Sequence, residues 1–141
     1  MSLDITYVPV GLLHKTVGAL SKYVTEAAEV SKGRSSADDI LRAFFTGAYQ
    51  LWLVLDKDLV VYGFFATEVK QYPQYKMLVV QHSVIEPNRM HEVEPRMQEM
   101  AEAFAKGQGC RGIEFVGRRG WRRHAEKYGY TSSSVVYHRF F

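Results

Sequence analysis

The chain has 141 residues, of which 47% are hydrophobic, 23% charged and 13% aromatic, and it carries a formal net charge of +3. That length suits a single domain spanning 1–141, and the ordinary apolar fraction argues against disordered and fibrous architectures. Cys110 is the only cysteine, which rules out an intrachain disulfide or a cysteine-rich zinc site and points to a reducing compartment.

The longest apolar run, Leu59 to Ala66, falls far short of the roughly 18 residues of a membrane span. The first basic residue is Lys15, so no basic segment precedes an apolar one as in a secretory signal. Neither secretion nor a membrane partner is expected.

Residues 3–9 alternate in polarity and end at Pro9, which predicts a short strand. From Val10 to about Val30 the apolar positions Leu13, Val17, Leu20, Val24 and Ala27 or Ala28 recur at three and four, the period of an amphipathic helix. Gly33 breaks it. Ser36 then offers a cap for a second helix, with Asp38 and Asp39 in its first turn and Ile40, Leu41, Phe44 and Phe45 on its inner face, ending at Gly47.

Gln50 to Leu55 and Leu59 to Val69 are rich in strand formers and flank the polar turn Asp56-Lys57-Asp58, so they predict an antiparallel hairpin. Lys76 to Ile85 predicts a third strand, apolar on both faces at its start and therefore central, stopped by Pro87. Pro95 suits a helix's first turn, with Met97, Met100, Ala101, Phe104 and Ala105 facing inward as far as Gly107 or Gly109. A strand at Gly112 to Val116, a helix from Arg118 to Tyr128 and a closing strand from Ser133 to Phe140 complete an α+β chain.

This order of elements resembles that of the GNAT, or acyl-CoA N-acyltransferase, fold, a mixed and mostly antiparallel sheet with helices on both faces. The junction Ala105-Lys106-Gly107-Gln108-Gly109-Cys110-Arg111-Gly112-Ile113-Glu114-Phe115 and the ending Lys127-Tyr128-Gly129-Tyr130 carry the local likeness. The combination of Gly-Cys, Ile-Glu, Gly-Arg-Arg-Gly-Trp and Gly-Tyr further resembles small GNAT-like proteins of tailed bacteriophages.

The resemblance implies a glycine-bearing loop that binds the CoA pyrophosphate through backbone amides at a helix start. In this sequence the corresponding positions are Arg89, Glu92 and Glu94, followed by Pro95, and no glycine lies between Phe65 and Lys106. At about 5 Å and an effective dielectric near 20, each carboxylate opposes a unit of phosphate charge by roughly 3 kcal/mol before screening. The tyrosine that the family often uses to protonate the departing thiolate falls at Ala125, with Tyr128 and His124 nearby. Positions that approach the pantetheine fall at Arg118 and Trp121.

Glu68 and His82, on adjacent predicted strands, are the candidates for a general base, against an ordinary solvated glutamate and a packed histidine. If acyl-CoA binds, it would run along Val84 and Ile85 toward Arg89 and Val93. Arg118, Arg119, Arg122 and Arg123 put four arginines within six residues. That face suits a protein partner better than a nucleic acid, because Trp121 falls on the apolar stripe with Ala125 and Tyr128.

These residues lead first to a GNAT-like binding or assembly module with a degenerate acyl-CoA loop and no resident cofactor or metal. Its partners would be phage structural proteins or a second copy, in a virion or a host cytoplasm. The alternative is a divergent N-acetyltransferase using acetyl-CoA.

Overall fold

A computed structural model describes residues 2–117 and 119–141, the side chain of Arg119 excepted. In chain order it contains β1 (Asp4–Val8), a 3-10 turn (Val10–Lys15), α1 (Val17–Val30), α2 (Ala37–Phe45), β2 (Gln50–Leu55), β3 (Val61–Gln71) and β4 (Lys76–Ile85). There follow α3 (Met90–Gly107), β5 (Gly112–Phe115), a 3-10 turn (Arg119–Trp121) and α4 (Arg122–Lys127). The strands form one sheet in the order β1-β2-β3-β4-β5, antiparallel except for the parallel pair β4 and β5.

The strands are apolar on both faces because both faces are covered. On one face Leu51, Leu53, Phe64 and Ala66 pack under Leu20, Val24 and Ala27 of α1 and Ile40 and Phe44 of α2. On the other, Ile5, Trp52, Val54, Phe65 and Leu78 pack against Val93, Met97, Ala101 and Ala105 of α3. Each fully buried leucine or phenylalanine contributes on the order of 2 kcal/mol. Trp52 places its indole N–H on the Thr67 hydroxyl at 2.9 Å, and that hydroxyl donates to Gln50 Oε1 at 2.9 Å, so this core carries a satisfied polar chain.

Local chemistry explains most boundaries. Ser36 and Asp39 form a reciprocal capping box at the start of α2. The Asp56 carboxylate accepts the amides of Asp58 and Val60, which holds Leu59 at φ 64° and delays β3 to Val61 rather than Leu59. Gly109, at φ 73°, makes the turn from α3 toward β5 that an L side chain would resist.

Four expectations are corrected. The stretch 10–30 is interrupted at Thr16, whose amide and hydroxyl both donate to the Leu13 carbonyl and close a 3-10 turn before α1 starts. α3 starts at Met90, so Pro95 lies inside the helix rather than in its first turn, and leaves the His91 carbonyl without an i+4 amide. The expected helix 118–128 is a short 3-10 turn followed by the six residues of α4. The expected strand at 133–140 is absent: residues 131–141 are exposed and have no regular structure.

Candidate functional site

β4 is central for only half its length. Its first half pairs with β5 from Met77 opposite Gly112 to Val80 opposite Phe115, and there the parallel ladder stops. On the β3 side, Thr67 faces Val80 and Ala66 faces His82, leaving Gln81 as the extra residue of a bulge. A bulge bends and twists the strand that carries it. β4 leaves β5 one residue after their last pair, so the edge of β4 from Gln81 to Ile85 faces a gap instead of a strand.

That gap is a cleft of about 450 Å³. One wall is β4, with Val80, His82, Ser83, Val84 and Ile85, flanked by Glu26, Ala27 and Val30 of α1 and by Ser31 just after it. The opposite wall comes from Met90, Glu94, Met97, Gln98 and Ala101 of α3, from Phe115 to Gly117, and from Trp121, His124, Ala125, Tyr128 and Tyr130. The expected stripe Trp121, Ala125 and Tyr128 therefore turns toward the cleft, half-buried.

Of the two candidate bases, His82 lines the cleft and Glu68 does not. The His82 ring stands edge-on to Tyr49 at 6.0 Å, and burial holds its pKa below the usual histidine value, which favours the neutral, proton-accepting ring. Glu68 is tied to Gln81, whose amide donates to Oε1 at 2.8 Å. Its charge reaches the site indirectly: burial, and after it Glu68, pushes the Tyr49 phenol upward.

Val84 and Ile85 lie on the cleft wall, as a ligand running along β4 requires. Val93 is fully buried on the inward face of α3 and does not line the cleft. Arg89 occupies the position before α3, is paired with Glu92 and lies over the Tyr62 ring at 4.9 Å. Arg118 lies outside the described residues, as does the side chain of Arg119. Arg122 is paired with Glu126 at 3.0 Å, and Arg123 is exposed on α4.

The electrostatics of the cleft are uneven. Glu94 is 8% exposed, faces the cleft and meets His124 Nδ1 at 3.3 Å. Glu86 is neutralised from outside, since Lys22 and the Tyr23 hydroxyl each donate to its Oε1 at 2.7 Å and hold its pKa down. Among the described residues that line the cleft there is no lysine or arginine. The same residues contain no group of three histidine, cysteine or acidic side chains able to hold a metal, and no helix long and apolar enough to cross a membrane.

Two features of the site escaped the sequence. Tyr49 reaches His82 only through the fold, with no local signal. Glu94 was visible as a carboxylate at the helix start, but its position on the inward stripe with Met97 and Ala101, at spacings of three and seven, also marks it as a charge aimed indoors.

The sequence matches no family model and no curated protein. Its structural likenesses are clear. A glucosamine-6-phosphate N-acetyltransferase from Arabidopsis thaliana superposes with a TM-score of 0.69 at 10% identity, over 100% of this chain and 99% of that one. An aminoglycoside acetyltransferase from an uncultured soil metagenomic sample gives 0.72 at 12%, over 100% and 99%. A predicted acetyltransferase from Clostridium acetobutylicum, crystallised with acetyl-CoA, gives 0.69 at 12%, over 98% and 96%. Coverage of 96% or more in both directions gives this chain the fold of the GNAT acetyltransferases.

Proposed function

We propose that the chain is a divergent N-acyltransferase that takes an acyl thioester into the cleft between β4 and β5. The observation that carries this reading is the half-open edge of β4: past Val80 the strand has no partner on the β5 side, and His82 to Ile85 line the cleft, with the half-buried His82 among them. An amide-bearing arm such as pantetheine can add to such an edge as an extra strand would, through main-chain hydrogen bonds. His82 is the group that accepts a proton from the attacking amine. The departing thiolate meets Ala125 where a tyrosine would serve, so its proton comes from His124, Tyr128 or water.

The thioester arm fits this chain better than the diphosphate of CoA does. Arg89 is already held by Glu92, Glu94 occupies the wall, and the described lining residues offer no compensating cation. Acetyl-CoA would therefore bind weakly, mainly through its pantetheine arm.

Thermal unfolding with and without millimolar acetyl-CoA, backed by calorimetric titration, tests the reading. Saturation at about 100 times the dissociation constant adds roughly 2.7 kcal/mol, a rise of several degrees in Tm. Transfer of the acetyl group to a panel of amines, lost in His82→Ala, would complete it.

The same carboxylates favour a second reading, a binding or assembly module of the kind a phage particle uses, acting in a virion or host cytoplasm without CoA. Its signature is the absence of both thermal shift and titration heat, together with co-purification of protein partners.

A further inference from the structure

The wall of the cleft formed by α3 and α4 continues into a second hollow of about 350 Å³, between the start of α3 and the turn ahead of α4. The two share Asn88, Met90, Glu94, Trp121 and His124, so Glu94 stands at their junction. Two carboxylates are buried among the described residues, and their surroundings differ. Asp56 accepts two backbone amides and the Tyr62 hydroxyl. Both oxygens of Glu94 instead stand 3.3 Å from a single nitrogen, Nδ1 of His124.

A carboxylate has room for about four hydrogen bonds, and a charge-assisted one is about 2.7–2.9 Å long. The His124 contact is longer than that, and the His124 side chain is 58% exposed, so water competes for it. Taking a carboxylate out of water is costly unless a positive partner meets it. No lysine or arginine among the described residues of either hollow does so. The surroundings of Glu94 narrow the chemistry of a partner that would. Phe115 stands edge-on to Trp121 at 6.4 Å and to Tyr130 at 5.2 Å, and all three rings line the cleft together with Met90 and Met97. Aromatic faces attract cations, and an apolar body packs on thioethers and rings. The cleft's 450 Å³ falls within the range of small-molecule sites.

We infer that the α3 and α4 wall is a binding site for an organic cation, an alkyl- or arylammonium whose charge pairs with Glu94 and whose apolar body packs on Trp121 and Phe115. The site lies across the cleft from His82, and the cation is a ligand held there, not the amine from which His82 takes a proton. The inference goes beyond acyl transfer and stands without it. One carboxylate then has opposite consequences for two ligand classes, attraction for an ammonium group and repulsion for a diphosphate.

Calorimetric titration of the full chain, with no acyl donor present, provides the test. Benzylammonium, benzyl alcohol and benzoate share one ring and differ in charge. Benzylammonium should bind at least tenfold more tightly than benzyl alcohol, and benzoate should give no heat. Glu94→Gln should bring benzylammonium down to the affinity of the alcohol. Tryptophan fluorescence should respond to benzylammonium and lose that response in Trp121→Phe, because Trp52, the other tryptophan, is buried in the core. Four outcomes overturn the inference: no heat with benzylammonium, equal binding of the ammonium and the alcohol, a charge preference that survives Glu94→Gln, or a fluorescence response that survives Trp121→Phe. The wild-type charge series decides the first two without any variant, so the test stands even if Glu94→Gln does not fold.

Discussion

Along β4 the cleft is bounded by a strand hydrogen-bonded to β3 down its length and backed by the packed helices α1 and α2. Across from it, the wall is assembled from the start of α3, the end of β5 and the six residues of α4, and no residue of α4 is buried. The first wall presents a polar backbone edge and an imidazole whose partial burial favours the neutral form. The second presents a nearly buried carboxylate where an anionic ligand would need positive charge. An acyl transfer site needs both walls, one to hold the thioester against a base and the other to grip the rest of the donor. In the proposed acyl-transfer reading the β4 wall would carry the chemistry, and the opposite wall, with no lysine or arginine among its described lining residues, would grip a donor weakly.

The largest expected effect comes from breaking the first wall. Gly63 in β3 lies so close to β4 that a Cβ there would come within 2.2 Å of the Val84 carbonyl oxygen and 2.6 Å of the Ile85 Cα. These are backbone atoms of the cleft wall and cannot rotate aside. Gly63→Ala should cost about 3 kcal/mol or more in denaturant unfolding, among the larger single-residue effects. A loss under about 1 kcal/mol would show that β4 is free to move, and the contrast between the walls would fail.

Next is the polar chain beneath the same strands. Thr67→Val leaves the buried Trp52 indole N–H and Gln50 Oε1 without the hydroxyl that joins them. The expected loss is about 2 kcal/mol, the range for orphaning a buried donor, with a shift in tryptophan fluorescence as the indole environment changes. Trp52→Phe together with Thr67→Val should recover part of it, because the unsatisfied donor is then gone.

A change on the second wall sharpens the comparison. Glu94→Gln keeps the shape of the side chain and removes its charge from the cleft. If that charge is what opposes an anionic donor, calorimetry should show acetyl-CoA binding roughly tenfold tighter, equivalent to about 1.4 kcal/mol. Unchanged affinity would mean that phosphates never approach Glu94 and that a bound donor enters by another route.

Most of the fold was legible because its elements are locally determined. Ser36 with Asp39 announced the start of α2, and the spacing of Leu20, Val24 and Ala27 gave the inner face of α1. The strand boundaries at Gln50, Lys76 and Ile85 were read to the residue. The failures share a physical reason. Residues 133–140 have strand composition, but a strand exists only where an edge accepts it, and composition does not report edges. Pro95 was read as a helix start because it can occupy a first turn, while the turn at Asn88, which has φ 64°, starts α3 five residues earlier. At the site, His82, Val84 and Ile85 were found because a strand aligns them. The cleft itself was not, since it depends on where the β4 and β5 ladder stops.

The smallest expected effect concerns pH and returns to the first wall. Burial lowers the His82 pKa in the folded chain relative to the unfolded one. The unfolded chain therefore binds more protons than the folded chain in the window just below the ordinary histidine pKa. Stability from keeping this ring neutral is full above that pKa and is lost as pH falls through the window. Replacing His82 with Gln, which cannot titrate, should flatten this part of the stability profile between about pH 5 and 7. The acid limb at lower pH should persist, because the depressed carboxylates of Asp39, Asp56 and Glu86 belong to other elements. In an acyl-transfer assay the same group should give a rate that rises with pH and levels off below the pKa of an unperturbed histidine. A rate limb near or above that value would assign the proton to another group, and the base would have to be sought elsewhere along β4.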